Sequence, residues 1–151
     1  MTPENWMTLA EKIEQSSPIN GLIDACDQVQ AKTALAAWAI KQKTNFISAG
    51  AAGGKQQAEL VQIDDLSATT HDPLLSKMRY NLRRVHGAPR IGRMGVVCLY
   101  SQEPVQQPLA ASDGSLNCHG FGSCVSVTAT FGMAAAGWMT KTLANIRKTA
   151  L

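Results

Sequence analysis

The apolar residues of this chain fall into two spacings, and their order predicts an alternation of helices and strands. Trp6, Leu9, Ala10 and Ile13 recur at helical intervals behind Thr2, Pro3 and Glu4, which supply an N-cap, a first-turn proline and an acid at the positive end of the helix dipole. Ser16, Ser17 and Pro18 end that helix. Ile19–Ala25 is a short apolar run suited to a buried strand. A helix from Val29 to Lys43 follows, with Ala34, Leu35, Trp38 and Ala39 as its inner stripe. Phe46–Ala49 and Leu60–Ile63 are further short strands, separated by the glycine-rich stretch Gly50–Lys55.

This strand–helix–strand order implies an α/β fold, a parallel sheet with helices packed on it. Asp72 and Pro73 open a helix that runs to Val85 and is stopped by Gly87 and Pro89. Val96–Tyr100 is a strand, Glu103–Ser115 a Pro/Gln/Ser-rich excursion, and Gly122–Arg147 a long final helix.

Composition narrows the picture. With 151 residues, of which 45% are hydrophobic and 17% charged, the chain can bury one domain-sized core, which excludes a disordered protein. Gly114–Thr140 contains no Asp, Glu, Lys or Arg and so raises the question of a membrane span. Ser123, Ser126, Thr128, Thr130 and the glycines dilute its apolarity, and no aromatic belt brackets it, so a helix buried in a core or a dimer interface is the better account and no stable membrane insertion is expected. The N-terminus is polar, and Cys26, Cys98, Cys118 and Cys124 form no CxxC pair, no disulfide framework and no zinc spacing, which together suit a reducing cytoplasm.

The net charge of +3 is mild, but its distribution is not: no acid lies between Asp72 and Glu103, where Lys77, Arg79, Arg83, Arg84, Arg90 and Arg93 all fall. Arginine contacts to phosphate are the simplest use of such a stretch, which makes these six residues candidates for RNA binding; a solvated surface is the alternative.

Three further motifs could carry chemistry. "GAAGGK" has three residues between Gly50 and Gly54, and Gln56 after Lys55, so it departs from a Walker loop and reads as a strand-end turn that permits close backbone approach. Asp24 and Asp27 stand where a strand meets a helix, the place at which open α/β sheets bind ligands. A carboxylate there can hold a Mg²⁺ that bridges phosphates, or Asp27 can simply cap the helix. Cys118 and His119 precede the last helix, whose N-terminus would stabilise a thiolate; an inert half-buried cysteine is the other reading.

Taken together, "TPEN", "IDACDQVQAKTALAAWA", "SAGAAGG", "VQIDDLSATTHDPLLSKMR", "SDGSLNCHGFGS" and "VTATFGMAAA" resemble the tRNA threonylcarbamoyladenosine dehydratases, a bacterial branch of the ubiquitin-activating-like (ThiF/MoeB) superfamily. The resemblance implies a Rossmann-like fold and ATP-dependent cyclisation of the threonylcarbamoyl group on a tRNA adenosine, through adenylation of its carboxylate. It implies that Asp27 engages Mg²⁺ and the ATP phosphates, supported by Asp24, with Gln28 and Lys32 at the same nucleotide site. It implies a homodimer and links Cys118, as a catalytic candidate, to a sulfur-relay partner. The motifs of the family's N-terminal half, including its glycine-rich nucleotide loop, have no counterpart here. Residues 1–151 therefore read as the C-terminal part of an adenylating domain, an incomplete Rossmann-like βαβ sheet with a long C-terminal helix, expected to turn over little ATP alone and to expose a strand edge at Ile19–Ala25. The alternative is a non-catalytic RNA- or protein-binding remnant.

Overall fold

A computed structural model of the chain describes residues 3–104 and 122–149. The two spacings in the sequence become α1 (Pro3–Glu14), β1 (Gly21–Asp24), α2 (Val29–Gln42), β2 (Asn45–Ala49), β3 (Val61–Asp65), α3 (Pro73–Val85), β4 (Val97–Ser101) and α4 (Val125–Thr149), with a single 3₁₀ turn at Ala58–Leu60. The excursion after Glu103 falls largely outside the described residues.

The sheet order is β1-β2-β4-β3. β1, β2 and β4 are parallel, but β3 runs antiparallel to β4, which corrects the expectation of a wholly parallel sheet. The cause lies in the connection from β2 to β3. It holds only the 3₁₀ turn, and without a helix to return the chain to the amino end of the sheet β3 has to run back down from the end where β2 finished. Gln62, Ile63 and Asp64 are exposed on this strand, and its charge suits an edge position.

Side chains alternate across the strands as a period of two requires. Phe46, Cys98 and Tyr100 join Trp38, Leu75, Met78 and Leu82 beneath α1, α2 and α3. Ile47 and Leu99 point the other way, onto Val127, Phe131, Ala135 and Met139 of α4. The result is a three-layer α/β fold in which wholly buried Leu75, Met78 and Leu82 each contribute about 1.5–3 kcal/mol of burial. Gly21 lets α4 approach β1 closely, since a Cβ there would push the Met139 thioether aside. Among the described residues no helix is long and apolar enough to cross a membrane.

α1 departs from its expected face. Trp6 and Ala10 are buried, whereas Leu9 and Ile13 are exposed, because among the described residues α2 is the element the helix chiefly packs on and it covers only part of the stripe. The contact centres on Trp6 and Trp38, edge to face with ring centroids 5.2 Å apart.

Candidate functional site

Two turns meet at the carboxyl end of the parallel strands. The first, residues 25–28, joins β1 to α2. Beneath it Lys32 and Asp24 form an ion pair of 2.7 Å with both side chains wholly buried. Lys32 Nζ also donates to Ser48 Oγ at 3.0 Å and to the Ala49 carbonyl at 2.8 Å, so its three hydrogens tie the end of β1 to the end of β2. Asp24 is equally saturated: the Ser48 hydroxyl donates to Oδ2, and the Cys26 amide and thiol both donate to Oδ1. Burial, the hydrogen bond to Asp24 and the carboxylate's charge push the Cys26 thiol up to about 11. A paired, fully bonded buried charge is tolerated where a lone one would not be.

Asp27 is the outward member of this turn, exposed at the head of α2. It does not cap the helix. The N-cap position is Gln28, whose backbone is extended and whose side chain makes no capping bond. Among the described residues no side chain caps the first amides of α2, which sit at the positive end of a 14-residue helix, beside an exposed carboxylate. The arrangement can offer backbone N–H groups to a phosphate and one hard oxygen to a cation such as Mg²⁺, which characteristically takes one or two carboxylates together with phosphate oxygens and water. No group of three or more His, Cys, Asp or Glu able to hold a metal occurs among the described residues.

The second turn is the glycine-rich stretch after β2, and here the backbone faces inward. The Ala51 amide donates to Asp72 Oδ2 at 2.8 Å, and the Gln56 and Gln57 amides donate to Glu103 Oε2 at 2.8 and 2.9 Å. Asp72 also caps α3 through the Leu75 amide. Gly50 is required because a Cβ would strike the Asp72 carboxylate, and Gly54 adopts a φ of 73° that suits glycine. Lys55 is buried and donates to the carbonyls of His71 and Ser101; burial pushes its ammonium below the ordinary lysine range against the opposing pull of Asp72 and Glu103. The amides of Ala51, Gln56 and Gln57, committed to two carboxylates of the same chain, are thereby withdrawn from phosphate.

Asp24, Asp27, Gln28 and Lys32 are therefore gathered at one turn, with Asp24 and Lys32 below the surface as its support and Asp27 and Gln28 exposed. Cys118 lies outside the described residues. The six basic candidates are not equivalent. Arg79 is half-buried, and its Nη1 donates to the carbonyls of Leu66 and Thr69 and to the Thr69 hydroxyl. Arg83 donates to the Pro89 carbonyl, while Lys77, Arg84, Arg90 and Arg93 are exposed. Asp65, which sequence reasoning missed, accepts from the amides of Ser67, Met94 and Gly95. Burial pushes its carboxyl up, but these bonds together with the Ser67 hydroxyl outweigh it and hold the group below the ordinary range.

Parallel strands whose carboxyl ends carry an aspartate turn at a helix head place the chain in the Rossmann-like class of α/β folds. No family model matches the chain. The tRNA threonylcarbamoyladenosine dehydratase of Escherichia coli is 35% identical over 130 residues, 76% of this chain and 48% of that protein. Its namesake in Haemophilus influenzae is 36% identical over 118 residues, 74% of this chain and 45% of that protein. Among solved structures, "TcdA (CsdL)" superimposes with a TM-score of 0.79 at 31% identity, covering 98% of this chain and 56% of that one. The E. coli enzyme in complex with ATP gives a TM-score of 0.78 at 32% identity, again covering 98% of this chain and 56% of that one. The resemblance seen in the motifs therefore holds: in sequence and in fold this chain is similar to tRNA threonylcarbamoyladenosine dehydratases, and it spans about half the length of the curated relatives it matches.

Proposed function

We propose that this chain supplies the aspartate-turn part of an adenylating site and acts in the ATP-dependent dehydration of threonylcarbamoyladenosine in tRNA. The observation that carries this reading is Asp27, held outward at the head of α2 by the saturated Asp24–Lys32–Ser48 cluster, in a fold that a relative carries in complex with ATP. In the proposed reaction a carboxylate oxygen of the threonylcarbamoyl group attacks the α-phosphorus of ATP, and the bond to the departing pyrophosphate breaks. An attack from within the same group on the activated carbonyl then expels AMP, which leaves with that oxygen, so the substrate loses the elements of water. Asp27 would give one oxygen to the Mg²⁺ that accompanies ATP, and the α2 head amides would face a phosphate. Lys32 and Asp24 hold the turn in place without touching the nucleotide.

The aspartate turn offers one exposed carboxylate and the head of one helix, so further phosphate contacts have to come from elsewhere. The chain by itself is accordingly expected to turn over little ATP, and with the portion of a relative that it does not match it is expected to gain tRNA-dependent pyrophosphate release that Asp27→Ala abolishes. Pyrophosphate release by the isolated chain at the rate of the completed enzyme, or full activity of Asp27→Ala, overturns the reading. A homodimer through the outer side of α4, where Met133 is 76% exposed and Gly132 and Gly137 leave room for close approach, belongs to the same proposal. Light scattering tests it. The exposed cations of α3 favour a second reading, an RNA-binding module without catalysis, which salt-dependent tRNA binding with no ATP binding in the completed protein would support.

A further inference from the structure

The basic stretch contains a feature that charge alone does not explain. Pro73, Lys77, Tyr80 and Arg84 share the outward face of α3, at helical spacing. Tyr80 is 59% exposed although the Arg84 guanidinium lies over its ring, 5.9 Å from the centroid, and Arg84 Nη1 donates to the Tyr80 hydroxyl at 3.4 Å. An aromatic ring held against a guanidinium, with most of its surface open, is a flat platform rather than a packing residue. Past the helix end Arg90, Ile91 and Arg93 are exposed in a loop that Arg83 ties to the end of α3 through the Pro89 carbonyl. Ile91 is 93% exposed, so this loop also offers apolar contact. From Pro73 to Gln102 the sequence has no acid, so a polyanion meets no repulsion from this stretch.

We propose that this surface binds single-stranded RNA, with Tyr80 and Arg84 stacking an unpaired base while Lys77, Arg90 and Arg93 contact the flanking phosphates. The inference rests on the tRNA reading above and deepens it by naming which part of the RNA is held. Cations alone suit any polyanion; the aromatic platform selects nucleobases, and it selects unpaired ones because a duplex of A form buries its base faces and its deep groove excludes side chains. The surface is also distinct from the aspartate turn. The amino end of α3 is fastened to the glycine-rich turn by Asp72, and the helix then runs about 20 Å away from that end. RNA would be gripped along this length while its reacting nucleotide reached the strand ends.

The test uses the full chain and two probes, an RNA hairpin with 2-aminopurine in its loop and a fully paired duplex of the same stem. The wild-type chain is expected to bind the hairpin more tightly than the duplex and to change the 2-aminopurine emission. Tyr80→Leu is expected to weaken hairpin binding about tenfold or more and to lose the emission change, whereas Tyr80→Phe keeps both. Lys77→Ala and Arg90→Ala are expected to weaken both probes and to flatten the salt dependence. Arg84→Glu, also on the exposed face, is expected to reproduce the Tyr80→Leu loss. Hairpin binding by Tyr80→Leu and Arg84→Glu equal to wild type overturns the platform and leaves the tRNA reading standing. Displacement of RNA by an acidic polypeptide of equal affinity overturns it in favour of a protein partner, and no RNA binding by the wild-type chain at low salt overturns both readings.

Discussion

The two turns at the carboxyl end of the sheet use similar residue types in opposite ways. At the β1–α2 turn a lysine and an aspartate neutralise each other below the surface, which leaves a second aspartate and the head of a helix facing out. At the glycine-rich turn two carboxylates lie beneath the backbone and draw its amides inward. Glycines followed by a lysine suggest phosphate, and an acid suggests the reverse, yet the geometry favours the acidic turn. What decides is where each backbone hydrogen bond goes, because an amide already bonded to a buried carboxylate is unavailable to a ligand.

Breaking the ion pair should have the largest effect. Lys32→Met leaves Asp24 buried without its countercharge and is expected to cost about 3–5 kcal/mol in urea unfolding. The double variant with Asp24→Asn should lose less than the two single losses combined, because the stranded charge is gone. Equal, additive losses would mean that the pair is not coupled. Gly50→Ala strikes the other turn by forcing Asp72 away from Ala51, with an expected loss of about 1–3 kcal/mol. Millimolar inorganic phosphate should not restore that loss; if it did, the inward account of this turn would be wrong.

Lys55 gives the comparison a pH signature. Its folded value lies below the unfolded one of about 10.4, so between the two the unfolded chain binds more protons and stability rises with pH. That contribution is complete above the unfolded value and is lost as pH falls through the folded one. Lys55→Met should remove it, so the stability difference between wild type and variant should shift in favour of wild type as pH rises through this window. A constant difference across the window would show that burial does not perturb this amine. Asp27→Asn is the smallest change for the fold. As an exposed residue it should alter stability by no more than about 0.5 kcal/mol, while ATP-dependent activity of the completed enzyme falls.

Much of this was legible in the sequence. The apolar spacings located every described helix and strand to within a few residues, because each element buries one face and the period records it. Strand partners were not legible: nothing in the alternation of Val61–Asp65 tells an antiparallel edge from a parallel interior strand. At the site, Asp27 could be picked out by position. The burial of Lys32 had a usable signal too, since it is the sole charged residue between Asp27 and Lys41. Asp72 could be read as the cap of α3, but its bond to Ala51 and those of Glu103 to Gln56 and Gln57 had no signal, because these partners lie 21 and 46 to 47 residues away and only tertiary structure unites them. The bonds of Arg79 were hidden for the same reason: a cation bonded to carbonyls ten or more residues back looks, in sequence, like one facing solvent.

β1 pairs with β2 along one edge, and among the described residues nothing pairs with the other. Ile23 is 43% exposed on this strand, which carries neither a proline nor a lysine to discourage a stranger. The practical consequence is a ceiling on how concentrated the chain can be kept before copies stick to one another. Ile23→Lys should raise that ceiling without disturbing the core, and turbidity measured against concentration would show by how much.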